Sequence, residues 1–148
     1  MNDLYKQCNI CPRRCGVDRE STVGICRSGS KAVISRVSRH MYEEPAICGE
    51  RGAGTVFFSG CNLGCVFCQN SVISRKSVGK EFDERELAEL FLTVASSGVS
   101  SLDLVTPTHF TPTVAAALAL VKDKLSIPVV WNSSGYESVE SLRMLEGL

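Results

Sequence analysis

Hydrophobic and polar residues follow different patterns in the two parts of the chain, and the change falls near residue 50. The first part carries many charges and several glycines with little regular hydrophobic spacing. Within it, Val33, Ile34 and Val37 predict one strand of a small hairpin. Beyond this point, short β-rich runs alternate with amphipathic stretches. We therefore divide the chain into a cysteine-rich segment, 1–50, and an α/β unit, 51–148.

The α/β unit is predicted to contain three strands, each followed by a helix. The strands are predicted at 55–58, 102–106 and 127–131. The first helix is capped by Asp83 and Glu86, which form a capping box ahead of an apolar stripe at helical spacing. The second begins at Thr111, and the third has an apolar face of Val139, Leu142 and Leu145. Successive βα units imply parallel strands covered by helices, in an open sheet or in part of a barrel.

Three cysteines follow the first predicted strand in the pattern Cys61-x3-Cys65-x2-Cys68. Three thiolates can bind one soft metal centre, but structural zinc and ordinary iron–sulfur clusters use four protein ligands. The loop therefore either takes a fourth ligand from His40, Cys48 or His109, or leaves one iron open to a small molecule. Ligands of parallel α/β folds bind at the carboxyl ends of the strands, where this loop begins.

The cysteine loop resembles that of the radical S-adenosylmethionine enzymes, in the branch related to the pyruvate formate-lyase activating enzyme. The similarity includes the spacing, the aromatic Phe67 before the third cysteine, and the flanking runs 56–60 and 68–70. The resemblance implies that Cys61, Cys65 and Cys68 bind a [4Fe–4S] cluster and that Phe67 lies near the adenine of S-adenosylmethionine.

The resemblance also implies a fold, an incomplete (β/α)6 partial TIM barrel preceded by a small metal-stapled segment. A complete (β/α)8 barrel takes ~250 residues, so six units need about 190. From residue 54 onward the chain has room for about three units. It is therefore predicted to be the N-terminal half of such a protein, as a truncated gene product, the product of a split gene or a fragment.

The activity implied by the resemblance is reductive cleavage of S-adenosylmethionine to methionine and a 5′-deoxyadenosyl radical. The implied substrate is a glycine in a glycyl radical enzyme, and the implied electron donor is a protein such as flavodoxin or ferredoxin. The alternative is a non-catalytic zinc or iron–sulfur module that serves structure or electron transfer.

One part of the sequence departs from this branch. Relatives carry a Gly-Gly-Glu segment after the second strand, where it contacts the amino group of S-adenosylmethionine, whereas this chain has the run 106–110. Thr106, Thr108 and His109 are predicted to supply these contacts, and for His109 the alternative is a hydrogen bond to backbone. The small polar run 132–136 after the third strand suits either ligand contact or a turn, of which the turn is favoured.

Four further cysteines precede this unit in the pattern Cys8-x2-Cys11-x3-Cys15-x10-Cys26. They make a full ligand set for zinc or for a second iron–sulfur cluster. Spacing does not separate the two metals. Zinc is favoured because a segment with few apolar residues needs a bound metal ion to stabilise its fold. Cys48 stands alone and is predicted to be a small buried hydrophobe.

Composition narrows the function classes. The chain has 148 residues and zero formal net charge, which argues against nucleic-acid binding. No apolar run reaches the roughly 18–20 residues of a membrane helix, and the N-terminus lacks the apolar stretch of a signal peptide. Eight cysteines without an export signal favour metal binding over disulfides, so a cytoplasmic location is predicted.

Overall fold

One five-stranded mixed sheet organises the chain in the computed structural model, which describes residues 3–148. The strands are β1 Ala32–His40, β2 Ala53–Phe58, β3 Lys80–Phe82, β4 Ser101–Val105 and β5 Val129–Asn132. The helices are α1 Asp3–Lys6, α2 Pro45–Cys48, α3 Ser71–Ser74, α4 Glu84–Ser96, α5 Thr111–Val121 and α6 Val139–Arg143, and a 3₁₀ turn spans Thr108–Phe110.

The sheet has the order β3-β1-β2-β4-β5. Strands β2, β4 and β5 are parallel, and each is followed by a helix, so they form the three predicted βα units. Strand β1 is antiparallel to β2, and β3 is antiparallel to β1. The strand predicted around Val33 is therefore present, but it belongs to the main sheet. The boundary drawn between residues 50 and 51 passes between two hydrogen-bonded strands.

The hydrophobic core lies on the face of the sheet that α4 and α5 cover. Val56 and Phe58 of β2 and Leu102 and Leu104 of β4 point into it and are almost fully buried. Helix α4 begins with the predicted capping box: the Asp83 carboxylate accepts hydrogen bonds from two backbone amides, and a Glu86 carboxylate oxygen accepts one from the Asp83 amide at 3.0 Å. These bonds pair amides that the start of a helix otherwise leaves free.

Helix α6 packs differently from the prediction. Val139 and Leu142 are largely exposed, whereas Ser141 is buried. The hydroxyls of Ser138 and Ser141 both donate hydrogen bonds to the carbonyl of Ile10. The helix therefore docks on the N-terminal segment through its polar side, and the predicted apolar face does not enter the core.

The other face of the sheet is polar near its centre. Asp103 of β4 is fully buried, and within residues 3–148 neither of its carboxylate oxygens has a hydrogen-bond partner. Burial, together with the charge of Glu43, raises the pKa of Asp103 to about 6. The polar side chains of Asn132 and Thr55 lie nearby and lower this pKa in part, although neither hydrogen-bonds to the carboxylate. No helix in the described part of the chain is long and apolar enough to cross a membrane.

Candidate metal centre

The loop that carries Cys61, Cys65 and Cys68 starts directly after β2. Gly60 begins it in a left-handed conformation, with φ +78°, and its amide donates to the carbonyl of Ile73 at 2.9 Å. A Cβ at residue 60 would lie 2.5 Å from the carbonyl oxygen of Cys26, so only glycine fits here. The closely packed neighbour of Gly60 is thus the N-terminal segment.

The three thiols line one cavity of about 620 Å³ at the carboxyl ends of the parallel strands. Each cysteine is partly exposed. The Leu63 amide donates to the sulfur of Cys61 at 3.3 Å, and the Ser74 hydroxyl lies 3.5 Å from the sulfur of Cys68. Hydrogen bonds to the ligand sulfurs tune the potential of an iron–sulfur cluster.

Two arginines hold the backbone of this loop from opposite sides. Arg13 donates to the carbonyls of Asn62 and Leu63, at 2.8 and 2.9 Å. Arg75 donates to the carbonyls of residues 65 and 66, at 3.3 and 3.2 Å. Both guanidinium groups add positive charge beside the thiols, which stabilises a centre that carries several thiolates.

Residues at the ends of β4 and β5 complete the cavity wall, and with Phe67 and Glu43 they surround the thiols. Thr106 has φ +62°, an uncommon conformation for a β-branched residue, and its amide donates to the carbonyl of Asn132 at 2.8 Å. The Thr108 hydroxyl donates to a carboxylate oxygen of Glu137 at 2.6 Å. The structure therefore brings three of the four residues predicted to bind the cofactor, Phe67, Thr106 and Thr108, to the same cavity as the cysteines.

His109, the fourth, lies behind this wall. It is 1% exposed and does not line the cavity. Its Nε2–H donates to the carbonyl of Ser59 at 2.8 Å, whereas Nδ1 has no hydrogen-bond partner among the described residues. Burial lowers the pKa of His109 to about 3, and the nearby charge of Arg19 acts in the same direction. The ring is therefore neutral and makes the backbone hydrogen bond that was the alternative to ligand contact.

Glu43 is a cavity residue that the sequence did not single out. It precedes α2 in a charged run that reads as solvated surface, and only the packing of α2 on β4 brings it to the cavity. Asp103 had a weak signal, because an acidic residue stood inside an apolar strand. Asp103 lies two residues before the cavity residue Val105 on the same face of β4, so its carboxylate is directed to the side of the sheet that carries the cavity.

The cavity beside the three thiols has room for an iron–sulfur cluster. Within residues 3–148 no group of three or more His, Cys, Asp or Glu side chains is placed to hold a single ion. Ligands of one zinc ion must converge within about 2.3 Å of a point. In a [4Fe–4S] cluster each thiolate binds a different iron, so the sulfurs stand around a larger body. The three cysteines line one cavity, which has room for a cluster that each thiolate binds through a different iron.

The other cysteines lie outside this cavity. Cys8, Cys11 and Cys26 are buried and Cys15 is half-buried, all in the N-terminal segment beside the loop. Cys48 is buried and its thiol donates to the carbonyl of Glu43 at 3.2 Å. The prediction that Cys48 is a small buried residue is confirmed, and neither it nor His40 or His109 reaches the cavity as a fourth ligand.

Comparison with known proteins agrees with this assignment. The chain is 32% identical to the uncharacterized protein MJ0674 of Methanocaldococcus jannaschii over 155 aligned positions, which cover 99% of this chain and 44% of that protein. The chain thus spans less than half the length of this relative. No solved structure matches. Residues 48–146, which include the three-cysteine loop, match the model of the 4Fe–4S single cluster domain. The chain belongs to this iron–sulfur family.

Proposed function

We propose that the protein is a radical S-adenosylmethionine enzyme related to the pyruvate formate-lyase activating enzymes, and that this chain forms the N-terminal half of its partial TIM barrel. The observation that carries the proposal is the set of three cysteines around a cavity at the ends of parallel strands, which no other cysteine or histidine of residues 3–148 lines. A cluster bound there would keep one iron open, as an open ligand position marks a catalytic zinc.

A [4Fe–4S] cluster held by Cys61, Cys65 and Cys68 would, when reduced, supply the one electron needed for cleavage of the sulfonium–carbon bond of S-adenosylmethionine to methionine and a 5′-deoxyadenosyl radical. The chain binds and orients the substrate of that cleavage. The amide and hydroxyls of Asn132, Ser133 and Ser134 offer hydrogen bonds to the carboxylate and ribose, and the carboxylate of Glu43 suits the ammonium group. Phe67 offers an apolar surface for the adenine.

The cavity has the size that this ligand set requires. Small-molecule sites measure about 300–1,000 Å³, and this one measures about 620 Å³. Phe67, which lines the cavity, and its neighbour Val66 are each 86% exposed. A site for radical chemistry must exclude water and other hydrogen donors, so another part of the protein has to pack over these exposed apolar side chains. We assign that cover to the remaining barrel units and to the glycine-bearing segment of a glycyl radical enzyme, with flavodoxin or ferredoxin as electron donor.

The test combines spectroscopy with product analysis. The chain is reconstituted anaerobically with iron and sulfide, reduced, and studied by low-temperature electron paramagnetic resonance with and without S-adenosylmethionine. We expect a [4Fe–4S] signal that changes when S-adenosylmethionine is added, and 5′-deoxyadenosine in the reduced mixture. Cys65→Ser abolishes both, and Cys48→Ser, at a buried cysteine outside the cavity, retains both.

Two results would contradict the proposal. A cluster whose signal ignores S-adenosylmethionine, with no 5′-deoxyadenosine formed, both in this chain and in a full-length relative, would indicate an electron carrier. A chain that takes up zinc and no iron at these three cysteines would indicate a structural module.

A further inference from the structure

The four N-terminal cysteines lie outside the region that the iron–sulfur family accounts for. The match begins at residue 48 and describes a single cluster, whereas Cys8, Cys11, Cys15 and Cys26 all precede it. Backbone hydrogen bonds hold this segment: the amide of Gly16 donates to the carbonyl of Cys8 across a loop, and two tight turns are closed by the amides of Arg14 and Arg27, which donate to the carbonyls of Cys11 and Gly24. Such turns direct thiols of a short segment to one side, as in zinc-binding knuckles.

The sulfurs of Cys15 and Cys26 lie close to the same residue, Gly24, although within residues 3–148 no three ligand side chains converge on one point. A Cβ placed at Gly24 would lie 3.3 Å from the sulfur of Cys26 and 3.5 Å from that of Cys15. The thiol of Cys15 in turn points to the Cys8 carbonyl at 3.9 Å. A side chain at residue 24 would therefore touch both sulfurs, and glycine leaves them more room. To bind one ion, the thiols would turn from these weak contacts towards a shared centre.

A buried cation beside these thiols points independently to a negative centre. Arg19 is 2% exposed, and within residues 3–148 no carboxylate pairs with it. Its guanidinium donates to the carbonyls of Ser28, Gly29 and His109, and lies 3.8 Å from the sulfur of Cys8. Buried charges are normally paired, because their desolvation is costly. Four thiolates around a divalent ion carry a charge of −2 and would provide the missing counter-charge.

The same segment holds the cluster loop. The carbonyl of Cys26 accepts the amide of Cys61 at 3.2 Å, and Arg13, two residues after Cys11, donates to the carbonyls of Asn62 and Leu63. A change in the conformation of the N-terminal cysteines would therefore reach the first cluster ligand directly.

We propose that Cys8, Cys11, Cys15 and Cys26 bind one zinc ion as a tetrathiolate, and that this ion fastens the N-terminal segment onto the cluster loop. Zinc displaces the thiol protons and needs no cavity, whereas a second cluster of four irons and four sulfides does. Three of the four cysteines are buried and none lines the cavity at the cluster loop. The second half of the proposal rests on the assignment of the cluster to Cys61, Cys65 and Cys68.

The zinc site is tested without reference to radical chemistry. The chain in which Cys61, Cys65 and Cys68 are all alanine is purified anaerobically, its metals are counted by mass spectrometry, and its zinc is studied by X-ray absorption. We expect one zinc per chain, bound by four sulfurs at about 2.3 Å. The same variant with Cys11→Ser loses the zinc, and that with Cys48→Ser keeps it. Absence of zinc from the triple variant, or iron and sulfide in its place, would overturn the site.

The coupling is tested by the rate at which iron leaves the cluster of the wild-type chain in the presence of an iron chelator. We expect zinc removal, and separately Arg13→Ala, to speed the loss about tenfold, because each releases the hydrogen bonds that hold the loop. Arg14→Ala, at the exposed neighbouring arginine, is the matched control and leaves the rate unchanged. Equal rates with and without zinc would overturn the coupling while leaving the zinc site intact.

Discussion

Two glycines of the cluster loop have similar backbone angles but different surroundings. Gly60 has φ +78° and packs against the carbonyl of Cys26, whereas Gly64 has φ +73° and nothing within 4 Å of the point where a side-chain methyl would lie. Both need the left-handed conformation that glycine adopts easily, but only Gly60 also needs the missing side chain for close packing.

We therefore expect Gly60→Ala to be much more harmful than Gly64→Ala. An alanine in the left-handed region costs roughly 1–2 kcal/mol at either position. At residue 60 the methyl must also displace the Cys26 backbone, which raises the loss of unfolding free energy above about 3 kcal/mol. Denaturant unfolding and iron content of the reconstituted variants measure the difference. Equal losses in the two variants would contradict this account of Gly60.

His109 makes stability depend on pH. Its pKa in the folded chain is about 3, below the ordinary value of 6.5, because it is buried. The unfolded chain therefore takes up the proton first. Stability is unaffected above pH 6.5 and falls as the pH drops from there towards 3, by on the order of 2 kcal/mol at pH 5.

The His109→Gln variant isolates this dependence. The glutamine amide can donate to the Ser59 carbonyl as Nε2–H does, but it does not titrate. We expect the unfolding free energy of the wild-type chain to fall more steeply between pH 7 and pH 5 than that of the variant. Parallel curves for the two proteins would show that His109 is not held neutral by the fold.

At the scale of the element, helix α4 lies in the sequence between the cysteine loop and strand β4. Its apolar stripe packs on the sheet, and its first turn is closed by the Asp83–Glu86 capping box. The capping residues are exposed and far from the thiols in the sequence, so they influence the start of the helix without entering the cavity.

We expect Asp83→Ala to lower the unfolding free energy by about 1 kcal/mol, because it removes the acceptor of two backbone amides. Glu89→Ala, at an exposed position in the middle of α4, serves as the control and changes it by less than about 0.5 kcal/mol. Thermal and denaturant unfolding measure both. Cluster uptake is expected to be normal in both variants, and a lost cluster in Asp83→Ala would show that α4 has a larger part in the metal centre.

At the scale of the whole molecule, the N-terminal segment and the sheet are joined by buried polar contacts. Arg19 reaches from the segment to the carbonyl of His109 at 2.6 Å and lies over the rings of Tyr5 and Phe110. Tyr5 bonds to Thr113 of α5 at 2.7 Å. Strand β1 adds backbone pairing with β2. These links predict that residues 3–148 unfold as one unit.

We expect Arg19→Lys to lower the unfolding free energy of the whole chain by about 3 kcal/mol. A lysine ammonium cannot donate to the same carbonyls as the planar guanidinium, so some buried carbonyls lose their hydrogen-bond partner. Arg51→Lys, at an exposed arginine, is the control. Hydrogen exchange of backbone amides reports residues 3–29 and the sheet separately. Loss of protection in residues 3–29 of Arg19→Lys at a lower denaturant concentration than in the sheet would show that the segment unfolds independently.

Local patterns were enough to predict much of this architecture. The spacing of Cys61, Cys65 and Cys68, the capping box at Asp83, and the alternation of strands and helices after residue 54 all depend on residues close in sequence. Each therefore carries its own chemical or periodic signal. The carboxyl-end position of the cysteine loop followed from chain direction in parallel strands.

Contacts between distant residues were decided only by the tertiary structure. The pairing of β1 with β2, the position of Glu43 on the cavity wall and of His109 behind it, and the docking of α6 through Ser138 and Ser141 on Ile10 join parts of the chain with no shared local pattern. Which side of a loop or short helix is buried depends on what packs against it. For these residues that neighbour lies tens of positions away or more, so hydrophobicity and spacing along the chain could not select it.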